Sequence, residues 1–165
     1  MAEAFLARRL EEIGVAANVH SAGLLDDGRP AMGVGVLSDM GFDTSAHRSR
    51  RMTAEMLEGA DLVLCMAREH VREAVLLCHG AWPKSFTLKE IVRRAEDIGP
   101  RGADQPFDEW LGELHAGRTR DALLGSSAED DVADPIGGNR SVYGSTASEI
   151  HELVDRLVKL AWVGD

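Results

Sequence analysis

The sequence predicts a three-layer α/β fold, a short parallel sheet with helices on both faces. β-rich and amphipathic stretches alternate along the 165 residues. Asp61-Leu62-Val63-Leu64-Cys65-Met66 is a continuous apolar run bounded by polar residues, as in a strand covered on both sides. The C-terminal stretch places Ile150, Leu153, Val154, Leu157, Val158 and Ala161 at helical spacing. A sheet of this kind ordinarily begins with a strand, whereas this chain opens with a helix.

That helix is expected over Met1 to Ile13, with Phe5, Leu6, Leu10 and Ile13 on one face and Gly14 closing it. Val15 to Ala22 is β-rich and reads as a short strand. Gly28-Arg29-Pro30 is a turn, and Pro30 opens a second helix, where its missing N–H costs nothing. Gly41 ends that helix. A brief helix follows to Gly59, capped by Thr53. After the apolar strand come a helix from about Arg68 to Cys78, a short strand at Ser85 to Leu88, and a helix near Lys89 to Ile98. Gly99 to Gln105 and Leu124 to Val132 read as loops, with a helix over Phe107 to Arg118 between them. The last helix spans roughly Ser141 to Leu160.

Composition narrows the function classes. A net charge of −10, with basic residues gathered only in short patches such as Arg48 to Arg51, excludes a nonspecific nucleic-acid or anionic-membrane surface. No stretch reaches the ~18 apolar residues of a membrane span, and the N-terminal residues show no signal-peptide pattern. Cys65 and Cys78 lie in apolar runs and read as reduced core residues of a cytoplasmic protein. His20, His47, His70, His79, His115 and His151 are scattered without ligand spacing, so neither a metal nor another cofactor is expected.

Asp134-Pro135-Ile136-Gly137-Gly138 sits in a polar loop before the last helix and has the form of a general-acid loop in a phosphate-ester hydrolase. Such an enzyme needs a cysteine nucleophile with an arginine six positions later. Val71 stands at that spacing from Cys65, and Lys84 from Cys78. Neither cysteine qualifies.

Five motifs in order resemble the low-molecular-weight protein-tyrosine phosphatase family. They are Met1-Ala2-Glu3-Ala4, His20-Ser21-Ala22-Gly23, Gly41-Phe42-Asp43 with His47-Arg48-Ser49-Arg50, Ala60 to Met66, and Asp134-Pro135. The resemblance covers nearly the whole chain. It implies one phosphatase-like domain over 1–165, truncated at its N-terminal side: a strand and the loop Cys-x-Gly-Asn-x-Cys-Arg-Ser-Pro stand before the family's Met-Ala-Glu-Ala. Two readings follow, a sequence begun at an internal Met or a natural form without the loop. In the family the missing strand lies mid-sheet, so its loss is expected to leave two edges unpaired.

The resemblance also implies phosphoryl transfer through a phosphocysteine, with a phosphotyrosine protein or small aryl phosphate as substrate. Asp134 matches the general acid, and Pro135 restricts it to extended geometry. Ser21 and His47 match residues that hydrogen-bond to the phosphate loop. Ile136 stands where the family usually has an aromatic cleft wall, which weakens the preference for aryl substrates. As written, the chain is expected to be inactive. The alternative is a non-catalytic phosphatase-like binding or regulatory module.

Overall fold

A computed structural model describes residues 1–24, 33–43 and 47–162. These gather into two compact units, Met1–Arg51 with Ala133–Val158, and Met52–Val132 with Lys159–Asp165. Among the described residues no helix is long and apolar enough to cross a membrane.

In the first unit, α1 (Ala2–Glu12) buries Phe5 and Leu10 and ends where Gly14 takes φ +73°. Phe5 meets Phe42 edge-on at 4.9 Å and His151 at 5.0 Å. Arg9 Nε lies 3.2 Å from Asp155, tying α1 to the helix that bears both His151 and Asp155. That helix is α7 (Arg140–Ala161), whose Ala147, Ile150, Leu153, Val154, Leu157 and Val158 are buried. Between them, α2 (Val34–Asp39) buries Leu37, and Gly41 with φ +80° follows its end. The expected turn at Gly28-Arg29-Pro30 and the opening of that helix lie outside the described residues.

The expected strand over Val15 to Ala22 does not form among the described residues. Its one ladder contact falls just beyond it, an isolated parallel bridge from Gly23 to Arg51. β-rich composition favours a strand only where a neighbour supplies the opposing N–H and C=O groups. Here that neighbour is reduced to a single bridge.

The second unit holds the sheet. After α3 (Ala54–Gly59), whose Thr53 hydroxyl accepts from Met56 N at 3.3 Å, come β1 (Val63–Cys65) and its parallel partner β2 (Ser85–Thr87). The crossover between them is α4 (Arg68–Leu77) and a 3₁₀ turn over His79–Lys84. β1 was expected to be covered on both sides. Only Cys65 is buried in it, whereas all three residues of β2 are. Cys65 packs with Val71, Val75 and Leu123, and half-buried Cys78 lies against the cluster of Leu57, Ala74 and Ala81.

α5 (Leu88–Ile98) buries Leu88, Ile91, Val92 and Ala95, one apolar stripe at helical spacing. Thr87 caps it, its hydroxyl accepting from Glu90 N at 3.1 Å. α6 (Phe107–His115) stops three residues short of the expected Arg118. Gly117 takes φ +74°, a left-handed conformation that ends the helix, and Arg118 turns inward. A second 3₁₀ turn, Arg120–Leu123, follows it.

Candidate functional site

The acid loop is built as two interlocked turns. Asp134 Oδ1 accepts from Ile136 N at 2.9 Å, an Asx turn closed across Pro135. Gly138 N then donates to Pro135 O at 2.8 Å with Gly137 at φ +81°, as a type II turn requires at its third residue. A Cβ on Gly138 would come within 2.9 Å of Pro135 O and of Val142, so glycine is needed there as well. The result exposes Asp134 and sets Ile136 at the tip, 67% exposed. Asn139 Oδ1 accepts from Val142 N at 3.1 Å and starts α7 directly after the loop.

Ser21 and His47 are brought together on one partner, Glu3. Ser21 Oγ donates to Glu3 Oε2 at 2.5 Å, and His47 Nδ1 stands 3.4 Å from the same oxygen. Arg50 Nε donates to Ser21 O at 2.8 Å, fixing the serine's backbone as well. Glu3 lies in the first turn of α1, where its charge also complements the helix dipole. Separations of 18 and 44 positions leave no local pattern that announces this triplet.

Neither cysteine has the setting of a nucleophile. Burial pushes Cys65 up to about 12, against a smaller downward pull from the Arg118 charge. A thiol so placed is not a thiolate at neutral pH. Arg118 is the guanidinium within electrostatic reach, and it is committed elsewhere: Nε and Nη2 hold Glu90 at 2.7 and 2.9 Å, and Nη2 also donates to Ser85 O at 2.7 Å. Its plane lies between Trp82 and Phe86, 4.1 and 4.0 Å from their ring centroids. Burial lowers its pKa despite Glu90. Cys78 is the C-cap of α4, its N–H given to Ala74 O.

The stretch between Lys89 and Asp131 joins Arg68 in an ionic cluster. Asp130 is 5% exposed; it accepts from Arg68 Nε and Nη2 at 2.9 and 2.7 Å and from Arg93 Nη2 at 2.7 Å. Burial alone would raise its pKa, but the two arginines outweigh it and hold the carboxyl below the usual carboxylate value. Next to it, Asp131 accepts from Arg68 N and Ser127 N, capping α4 where Ala67 has no side chain to do so. Val132 N then donates to Met66 O at 2.8 Å. The chain is thus pinned two residues before Asp134.

Against known proteins, the model of the low molecular weight phosphotyrosine protein phosphatases matches residues 1–109. The chain belongs to that family. A protein-arginine-phosphatase of Bacillus subtilis is 29% identical over 163 residues, covering 96% of this chain and 85% of the relative. The low molecular weight protein-tyrosine-phosphatase Etp of Escherichia coli is 28% identical over 105 residues, 58% of this chain and 70% of the relative. Among solved structures, the low molecular weight protein tyrosine phosphatase from T. tengcongensis superposes with a TM-score of 0.70 at 31% identity. It spans 96% of this chain and 87% of its own. The α/β fold with a short parallel sheet is therefore that of the family, whose members are hydrolases acting on phosphorylated proteins.

Proposed function

We propose that this chain serves phosphoryl hydrolysis through a phosphocysteine intermediate, with Asp134 as general acid, and that the 165 residues alone lack the nucleophile. The family match is the observation that carries the reading. In the reaction a thiolate attacks phosphorus, the P–S bond forms, and the bond to the leaving group breaks as Asp134 protonates it. Water then displaces the sulfur with the same carboxylate as base. Asp134 suits that exchange because it is exposed on a turn rigid enough to aim it. Ser21 and His47, held by Glu3, would orient the phosphate loop. Two free cysteines fit a reducing, cytoplasmic setting.

The substrate class turns on Ile136. An aliphatic residue there gives no ring to stack on phosphotyrosine, a contact worth about 1 kcal/mol. Similarity to protein-arginine-phosphatases adds phosphoarginine to the candidates beside phosphotyrosine and small aryl phosphates. The second reading, a non-catalytic module that binds phosphorylated partners, draws on Glu3 already occupying Ser21 and His47.

The test compares two polypeptides on p-nitrophenyl phosphate and phosphoarginine. The 165-residue form should stay at background. A form extended before Met1 by a strand and Cys-x-Gly-Asn-x-Cys-Arg-Ser-Pro should turn over, and Asp134→Ala should slow it roughly 10²- to 10⁴-fold. Turnover by the 165-residue form that disappears in Cys65→Ser or Cys78→Ser would sink the proposal. An inert extended form would favour the binding module.

A further inference from the structure

In the Met52–Val132 unit, a cleft of about 90 Å³ is lined by Arg68, Glu90, Arg94, Arg118, Thr119 and Asp130. None of these belongs to the acid loop or to the Glu3 cluster. What the cleft accepts follows from its donors and acceptors. Each guanidinium carries five N–H groups. Arg118 uses all of its own, on Glu90, Ser85 O, Trp82 O and His115 Nδ1. Arg68 directs two to Asp130 and keeps three. Arg94 gives Nε to Glu90 and Nη1 to the carbonyls of Leu114 and Ala116, and keeps the two on Nη2.

The carboxylates are nearly saturated in return. Each has about four acceptor sites. Glu90 fills three, from Arg94 Nε and from Arg118 Nε and Nη2. Asp130 fills three, from Arg68 and Arg93. Unused capacity is therefore mostly donor, and three guanidinium groups face two carboxylates. His115 registers the same imbalance: burial lowers its pKa, and the charges of Arg118 and Arg94 lower it further. The volume is several times the ~10–15 Å³ that admits one water.

We propose that this cleft binds a tetrahedral oxyanion of phosphate's size and charge, held by the unused N–H groups of Arg68 and Arg94 and by the Thr119 hydroxyl. A guanidinium presents its donors as a planar fork matched to two oxygens of such an anion. Arg68 and Arg94 are already aimed by Asp130 and Glu90, so little ordering is required on binding.

The experiment is a titration of the 165-residue polypeptide with inorganic phosphate at constant ionic strength. Backbone amides and arginine Nε groups are followed by ¹⁵N NMR. Saturable shifts are expected at Gly117, Thr119, Arg68 Nε and Arg94 Nε, with sulfate acting alike and acetate causing none. No saturable shift, shifts confined to Glu3, Ser21 and His47, or acetate binding as tightly as phosphate would each overturn the assignment. Exposed Ala122 also lines the cleft. Ala122→Phe should weaken binding by roughly tenfold or more while the unfolding midpoint in chloride stays put. Arg94→Gln should weaken it similarly, and undiminished phosphate binding in both variants would refute the site.

Discussion

Glu3 and Glu90 do the same thing in different surroundings. Each is a carboxylate in the first turn of a helix, and each gathers partners from distant sequence. Glu3 draws Ser21 and His47 with 30% of its side chain exposed; Glu90 draws Arg94 and Arg118 with 12% exposed, and Arg118 itself is 2% exposed. Water competes more for the first set than for the second, where Arg118 is 2% exposed although Arg94 reaches the cleft at 27%. An exposed pair of this kind is worth about 0–1 kcal/mol, whereas breaking a buried one leaves a charge with nowhere to go. The difference predicts unequal contributions to stability. The buried one should matter more to the stability of its unit than the exposed one does to that of its own.

Removing Arg118 should break that contrast most severely. Arg118→Ala leaves Glu90 with Arg94 alone, one hydrogen bond of three, empties the space between Trp82 and Phe86, and should cost about 3–5 kcal/mol in a urea melt. Arg118→Lys should recover little, since an ammonium cannot reproduce the forked, stacked geometry. A loss below 1 kcal/mol in either variant would show the cluster to be ornamental.

Asp130 comes next. Asp130→Asn leaves Arg68 and Arg93 underbalanced and should cost about 2–3 kcal/mol, the buried-pair figure reduced because Arg93 is 42% exposed. Its pH dependence has a definite sign. The folded carboxyl is held below its ordinary value, so its contribution is complete above the ordinary carboxylate range and disappears as pH falls through the lowered folded value. The stability gap between wild type and Asp130→Asn should therefore close in acid and stay constant from pH 5 to 7. A gap that widens in acid contradicts the assignment.

How much of this was legible follows from the range of each interaction. The helix near Lys89 to Ile98, the cap at Thr53 and the long α7 were readable, because spacing of three or four residues is all a helix requires, although Leu88, read as the end of a strand, opens α5. The Glu90–Arg94 pair has that spacing too. Arg118 reaches Glu90 across 28 positions and Asp131 caps α4 across 63, and no short-range pattern encodes either. Val15 to Ala22 failed for the complementary reason: a strand is a property of two segments, and among the described residues the only pairing there is the Gly23–Arg51 bridge. In the candidate site, the family resemblance singled out Ser21 and His47, while nothing local pointed to Glu3, which joins them across 18 and 44 positions.

Glu3→Gln sharpens the comparison from the weak side. It should cost about 1 kcal/mol or less, shrinking further as salt rises. A salt-independent loss as large as that of Asp130→Asn would mean the two clusters are not different in kind. The smallest expected effect is none: Cys65 should stay unmodified by iodoacetamide at pH 8 in the native protein, while half-buried Cys78 reacts. Equal labelling would show that the Cys65 pocket opens readily.

The cation stacked on Trp82 has an optical corollary. Trp82, Trp110 and Trp162 all fall within one unit, while Tyr143, the chain's only tyrosine, falls in the other. Emission excited at the red edge therefore watches one half of the polypeptide alone. Comparing that signal with far-ultraviolet dichroism, which sums over both halves, would reveal at once whether they melt together.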